Sequence, residues 1–341
     1  MSPTLVDIAR ETKTSVSTVS RVLSGGAMAN RISKATRDRV KEAATRLGYR
    51  PNLLARSLRT RKTHTIGLIV SDIANPFYGY IGSLIERSLS KSGYSLMLCN
   101  SAEDANREAD YLRLVTQRGI DGLILVPLLK HKKNLQTMVP SGLPLVLLDR
   151  PITGVDASVA TDQEQAATVL CDTLAKAGVR KVAVIAGPEY VSTHRRRAEI
   201  FAQRFELVAP VHHGPAHKET GRAAFREMLP RLSEAQAICC TNNFLAQGVI
   251  DSVAQIDLKS KPPIVAVFDE IPMMDLLPIP IVCSIQDVTQ LAETTVAQLL
   301  TLLEDPAAKL EPVMIPAKPL SNRAFQVISF APQPVAEAAT A

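Results

Sequence analysis

The chain has little cysteine: five in 341 residues. Cys99, Cys171, Cys239, Cys240 and Cys283 are scattered, mostly in apolar runs. An odd, dispersed set of this kind excludes a disulfide framework and reads as buried reduced thiols in a cytoplasmic protein. Cys239 and Cys240 are adjacent, so on a strand they point to opposite faces and cannot share a metal. No apolar run is long enough to span a membrane, and the N-terminus lacks a signal-peptide layout. There is no Walker loop, no G-x-G-x-x-G, no H-E-x-x-H and no G-x-S-x-G, so neither a cofactor nor a catalytic metal is expected. His212-His213-x-x-x-His217 has some metal-like character, but it lies in a Gly/Pro loop without clustered cysteines. No repeat of fixed short period is visible. Residues 331–341, with Pro332, Pro334 and several alanines, lack heptads and read as a disordered tail rather than a coiled-coil tetramerisation segment.

Charge is unevenly spread. The first 63 residues hold 14 Lys/Arg against 4 Asp/Glu, whereas the other 278 hold 25 against 29. A cationic head on a mildly acidic body suits a polyanion, nucleic acid first. Basic faces are also commonly just solvated, so the pattern inside the head decides. Thr4 followed by Asp7 is a capping arrangement for a short helix with Leu5, Ile8 and Ala9 on one face. After a break at 12–15, Ser15 caps a second helix whose apolar face is Val19, Val22 and Leu23. Two short helices joined by a four-residue turn make a helix-turn-helix. Ser33 caps a third helix, from Lys34 to Leu47, with Val40, Ala43, Ala44 and Leu47 inward. In a helix-turn-helix the second helix enters the major groove with its N-terminal residues at base edges. Arg21 opposes the apolar face and can donate two hydrogen bonds to guanine, and Val16 can touch a thymine methyl. Lys34, Arg37, Arg56 and Arg59 are expected on phosphates.

The body alternates strand and helix. Apolar runs 66–70, 96–99, 122–126 and 145–148 alternate with helices from Phe77, Asp104 and Lys132. A second series is expected to open near Val159, with strands 182–186, 237–240, 264–268 and 281–285 and helices from Gln163, Thr193, Glu219, Asn243 and Asp287. Two such series argue for an α/β body with two parallel-sheet lobes. Such sheets bind ligands at the carboxyl ends of their strands. The candidates there are Phe77, Tyr78, Asp149, Arg150, Arg197, Asn242 and Asp269. An apolar platform with Arg, Asp and an amide suits a polyol or a purine. The plainer alternative makes Phe77 and Tyr78 core, Arg150 surface and Asp269 a helix cap. His194-Arg195-Arg196-Arg197 adds charge that a phosphate would use. Successive helical residues diverge by about 100°, so at most two of the four can face one cavity.

Thr4-Leu5-x-Asp7-Ile8-Ala9, Ser15-x-x-Thr18-Val19-Ser20-Arg21-Val22-Leu23 and Leu47-Gly48-Tyr49-x-Pro51-Asn52 resemble the lactose repressor family of bacterial transcription regulators. Ala55-Arg56-Ser57-Leu58, Thr65-Ile66-Gly67-Leu68-Ile69, Asn75-Pro76-Phe77-Tyr78, Asp121-Gly122-Leu123-Ile124, Asp149-Arg150 and Gly187-Pro188 continue it in the family's order. The chain departs from the pattern in places. Lys13 stands where the family usually has Gly, and a left-handed conformation would cost Lys roughly 1 kcal/mol or more. Ser24 replaces a common Asn, Asn242-Asn243 replaces Asn-Asp, and Ile200-Phe201 replaces Gly-Phe before a shortened connection to Gly214.

The resemblance implies an all-α helix-turn-helix headpiece over 1–50 and a hinge helix and linker over 51–63. It implies a two-lobed, periplasmic-binding-protein-like effector and dimerisation domain over 64–330. It places Val16, Ser17 and Arg21 on bases, with Thr4, Ser15, Thr18 and Asn52 completing the DNA-facing set, and Leu58 as a wedge in the minor groove. Packing within the linker is the alternative role for Leu58. The implied partners are a pseudo-palindromic double-stranded operator, a small-molecule effector and a second copy of the chain. The implied function is transcriptional regulation, as a repressor controlled by a sugar or sugar phosphate. A purine or other metabolite sensor of the same fold, or a sugar-binding or enzymatic α/β protein, is the alternative. The segment from Ser24 to Ile32, the run Phe244-x-x-Gln247-Gly248-Val249-Ile250-Asp251 and the short connection after Phe201 are similar to the fructose and sucrose repressor branch. That likeness implies fructose or its phosphates as effector.

Overall fold

A computed structural model describes residues 3–24, 29–49, 62–128, 132–255 and 262–330, with backbone alone for 328–330. The expected hinge residues Asn52, Arg56, Leu58 and Arg59 and the expected disordered tail 331–341 lie outside the described residues. The chain divides into two compact units, the first ending at Thr63 and the second starting at His64.

Among its described residues the first unit holds three α-helices, α1 (Leu5–Thr12), α2 (Val16–Ser24) and α3 (Lys34–Arg46), and a 3₁₀ turn at Ala29–Arg31. Thr4 and Asp7 form a full capping box, each side chain answering the other's backbone N–H. The α1–α2 turn passes through Lys13 at φ 51, ψ 43, the left-handed region that favours glycine. The Ser15 Oγ caps α2 by accepting from Thr18 N at 3.1 Å. Ile8, Ala9, Val19, Val22, Val40, Ala43 and Ala44 form the shared core, the apolar faces that the 3.6-residue period requires. Arg46 Nε ties α3 to α1 by donating to Glu11 at 2.9 Å.

The second unit holds two sheets. In the first, the strands run in the order β12 (Val313–Ile315), β5 (Ser158–Thr161), β4 (Leu145–Leu148), β3 (Gly122–Leu125), β1 (Thr65–Val70), β2 (Ser95–Asn100), all parallel. In the second, the order is β13 (Lys318–Ser321), β11 (Ile281–Ile285), β10 (Ile264–Phe268), β9 (Ala237–Cys240), β6 (Lys181–Ala186), β7 (Glu206–Leu207). The short β8 (His212–His213) also pairs with β6, and among the described strands of this sheet only β13 is antiparallel. Helices α4 (Pro76–Lys91), α5 (Ala105–Gln117), α6 (Lys132–Met138) and α11 (Val288–Glu304) accompany the first sheet. Helices α7 (Gln163–Lys176), α8 (Ser192–Arg204), α9 (Lys218–Met228), α10 (Asn243–Val253) and α12 (Arg323–Phe330) accompany the second. Strands covered on both faces must be apolar throughout, and β3, β9 and β10 are buried at every residue. Cys239 and Cys240 fall into separate core clusters, on opposite faces of β9. All five cysteines are free and buried.

One expectation is corrected. The strand at Val159 does not open the second series. It pairs with β4 and so belongs to the first sheet. A short apolar run has no signal for which sheet it joins; its N–H and C=O groups take whichever edge is open. The chain passes between lobes three times, at 161–163, 285–288 and 315–318. Strands β7, β8, β12 and β13, two to four residues each, escape a periodicity reading altogether.

Candidate functional site

In the first unit the N-terminal turn of α2 is open. Val16 is 41% exposed, and Ser15, Ser17 and Arg21 are exposed, while Val19 and Val22 are buried on the opposite side. Ser15 Oγ lies 2.9 Å from Ser17 Oγ and 2.8 Å from Thr18 Oγ1, which holds the three hydroxyls together at the helix start. Lys34 is exposed, and Arg37 leans on Asn30, its Nη1 donating to Oδ1 at 3.0 Å. Thr4 is exposed but committed to its cap. Polar hydroxyls and an arginine on a convex, solvent-facing helix are what base edges and phosphates accept.

In the second unit a cleft of about 460 Å³ opens at the carboxyl ends of both sheets. All seven sequence candidates line it: Phe77, Tyr78, Asp149, Arg150, Arg197, Asn242 and Asp269. Asp149 follows the last residue of β4 and Asp269 the last of β10, and both are left-handed, at φ 67 and 69. Each N–H donates to the neighbouring strand, Asp149 to Val159 O at 2.9 Å and Asp269 to Ser284 O at 3.0 Å. The same kink on two equivalent strands brings a carboxylate to the cleft from each lobe. Asp adopts this conformation more readily than most non-glycine residues.

Each candidate has its own commitments. Phe77 and Tyr78 are both core and cavity wall, with rings 4.9 Å apart at 74°. The Tyr78 hydroxyl donates to Asp149 Oδ2 at 2.7 Å, and burial pushes its pKa well above the usual tyrosine value. Arg150 is buried and turned onto Glu103, with Nη2 and Nη1 at 2.6 and 3.1 Å from the two carboxylate oxygens. It also reaches Ser71 Oγ at 3.3 Å. Asn242 caps α10, its Oδ1 accepting from Leu245 N at 2.9 Å. Arg197 is buried with its guanidinium 4.0 Å from the Phe268 ring centroid. Its Nε donates to Gln163 Oε1 at 2.7 Å and its Nη1 to Thr241 O at 2.8 Å. Burial lowers the Arg197 pKa against the pull of Asp269 and Asp149. Burial raises that of Asp269, which Arg197 and a 2.6 Å hydrogen bond from Gln286 partly offset.

Of the basic run, His194 and Arg197 line the cavity, whereas Arg195 and Arg196 point outward to Glu199 and Glu164. That is the number the helical period allows. Sequence reasoning did not find Glu103, Thr193 or Gln286. Gln286 lies just after the apolar run of β11, and a polar residue at a strand's carboxyl end was the available signal. Glu103 had none, because its meeting with Arg150 spans 47 residues. Among the described residues no group of three His, Cys, Asp or Glu is arranged to hold a metal, and no helix is long and apolar enough to cross a membrane.

The chain matches two family descriptions: "Bacterial regulatory proteins, lacI family" over residues 4–52, and "Periplasmic binding proteins and sugar binding domain of LacI family" over 63–298. It is 32% identical over 264 residues to the sucrose operon repressor of Pediococcus pentosaceus, covering 76% of this chain and 79% of that one. Among solved structures, the lac repressor dimer bound to operator and the anti-inducer ONPF aligns with TM-score 0.81 at 22% identity, over 95% of this chain and 99% of that one. The Cra transcriptional dual regulator of Pseudomonas putida in complex with fructose 1-phosphate aligns with TM-score 0.69 at 22% identity, over 75% of this chain and 98% of that one.

Proposed function

We propose that this chain, which belongs to the lacI family of bacterial regulatory proteins, holds a DNA operator through residues 1–63 and changes its grip when a small carbohydrate binds between the lobes of its body. As a member of that family it regulates transcription by binding DNA. The observation that carries the effector reading is the pair of left-handed aspartates, Asp149 and Asp269, brought from two lobes to one cleft beside Arg197. Carboxylates accept from vicinal hydroxyls and a guanidinium donates to ring or hydroxyl oxygens, over the apolar floor of Phe77. Residues 1–50 are the DNA-binding domain, 51–63 the hinge and linker, and 64–330 the effector and dimerisation domain. Val16, Ser17 and Arg21 read bases, Lys34, Arg37, Arg56 and Arg59 meet phosphates, Thr4, Ser15, Thr18 and Asn52 complete the DNA-facing set, and Leu58 wedges into the minor groove. The protein acts as a cytoplasmic homodimer on a pseudo-palindromic site and is not an enzyme: its relatives are transcription regulators.

Binding between two lobes can set their relative angle, provided the ligand binds the two arrangements with different affinity. The test is a gel shift on a palindromic duplex, titrated with a panel of sugars and sugar phosphates. A shift altered by one of them is expected. Asp269→Asn retains the left-handed backbone and a contact to Gln286 but removes the charge. It should leave operator binding intact and weaken the effector response about tenfold or more, a charged hydrogen bond being lost. An unaltered response in Asp269→Asn would place the effector elsewhere.

A further inference from the structure

The two lobes of the body touch through side chains as well as through the three chain crossings. The buried contact joins Asn75 of the first lobe to Asn243 of the second. Asn75 is the N-cap of α4 and Asn243 the first residue of α10, and they are 9% and 1% exposed. Asn243 Nδ2 donates to Asn75 Oδ1 at 3.3 Å, between residues 168 apart in the chain. A second contact lies at the rim, where the Tyr190 hydroxyl donates to Glu103 O at 3.3 Å with Tyr190 51% exposed. Water competes for an exposed hydrogen bond and is kept from a buried one, so the asparagine pair holds the lobes the more firmly.

The direction of the buried bond is fixed from the first lobe. Asn75 Oδ1 also accepts from Phe77 N at 3.0 Å, which caps α4 and holds Phe77 at the cleft floor. An amide oxygen has two lone pairs, and here both are engaged. Such an oxygen can meet only a donor from the other lobe. Asn243 supplies one in its amide nitrogen, whereas a carboxylate at 243 would set oxygen against oxygen. The pair also has a defined place. Asn75 lines the cleft that Asp149 and Arg197 line. Asn243 lines a second cavity, of about 630 Å³, with Tyr80, Glu270 and Lys318. Phe77, Asp269 and Gln286 line both, so the asparagine pair lies where the two cavities meet. All four residues of the crossing at 285–288 line the second cavity, which puts the pair beside a segment that must bend if the lobes move.

We propose that Asn75 and Asn243 form a latch that holds the two lobes closed in the absence of effector. The body rests closed, and a ligand in the cleft shifts an equilibrium whose starting point the latch has set. Opening the lobes breaks a buried hydrogen bond, and closing them restores it, with no charged group as donor or acceptor. The latch goes beyond the reading of what the cleft binds, because it acts on the empty body.

The test measures lobe separation in the full-length protein without any effector. All five native cysteines are buried, so Gln117→Cys in α5 and Gln203→Cys in α8, both exposed, take a pair of spin labels, one on each lobe. Dilution with unlabelled chain keeps the measured distance within one chain, and pulsed electron resonance reads the ratio of closed to open molecules. Asn243→Asp and Asn243→Leu both remove the donor, the second without adding charge. Each should lower that ratio about threefold or more, as the loss of a buried hydrogen bond implies. Asn75→Asp keeps an oxygen for Phe77 N and offers Asn243 Nδ2 a charged acceptor, so it should retain or raise the ratio. Aspartate suits the cap and first turn of either helix, so helix stability cannot give the two aspartates opposite effects. Tyr190→Phe should change the ratio less than Asn243→Leu does. Thermal unfolding establishes that the variants fold. An unchanged ratio in both Asn243 variants, an opening in Asn75→Asp as large as in Asn243→Asp, or a larger change in Tyr190→Phe than in Asn243→Leu overturns the proposal. None of these results bears on which ligand the cleft takes, so the effector reading stands or falls separately.

Discussion

Lys13 sits at φ 51 in the turn that joins the first two helices of the DNA-binding unit. Three of its features recommend glycine: the left-handed backbone, the tight connection, and N–H groups that must reach back into α1. The backbone N–H of Lys13 does so, meeting Ala9 and Arg10 carbonyls. A left-handed L-residue costs roughly 1–2 kcal/mol, and glycine's greater freedom in the unfolded chain returns part of that. Lys13→Gly should therefore stabilise this unit by about 0.5–1 kcal/mol. Native-state hydrogen exchange of the α1 and α2 amides measures it, and protection that stays level or falls would show that the lysine is at ease there. Asp149 and Asp269 use the same backbone region, but at the cleft between the lobes, where the strain aims a carboxylate.

Helices α9 and α10 cross at two glycines. A Cβ on Gly221 would lie 2.1 Å from Leu245 O, and one on Gly248 2.1 Å from Lys218 O. Both obstacles are backbone, so no rotamer change relieves them. The contact lets α9 lie against α10 with Ala224, Phe225, Leu245 and Val249 in one core cluster. Gly248→Ala should cost at least about 2 kcal/mol in denaturant unfolding through overpacking. Gly82→Ala in α4 is the control, since its Cβ would meet only Leu68 Cδ2 at 3.7 Å. It should be neutral or stabilise by up to about 1 kcal/mol through helix propensity. Equal effects of the two substitutions would refute the close-crossing account.

The whole chain carries +6 at pH 7, but its charge is split between a basic head and a slightly acidic body. The body's surplus carboxylates disfavour its own contact with DNA and leave the head to dock. Each phosphate neutralised releases condensed counterions, so operator affinity should fall steeply with salt. Six or more phosphates contacted by a dimer imply a loss of about 10³-fold or more between about 50 and 200 mM. A shallow dependence in fluorescence anisotropy would mean that the head binds mainly through neutral contacts.

The sequence by itself determined the elements and their charges. Capping residues Thr4, Ser15 and Ser33 and the 3.6-residue apolar period located α1 to α3, because helix ends and faces are local matters. Continuous apolar runs located the buried parallel strands for the same reason, and motif order carried the seven cleft residues. Tertiary structure decided what depends on distant partners. Hydrogen bonding to β4 put the strand at Val159 in the first sheet, a choice its own residues do not encode. Burial turned Arg150, within the cleft wall, onto Glu103, since a charge removed from water needs the nearest opposite charge, wherever the chain supplies it. It set Arg197 on Gln163, Thr241 and the Phe268 ring, and no spacing in the sequence could have told the two arginines apart.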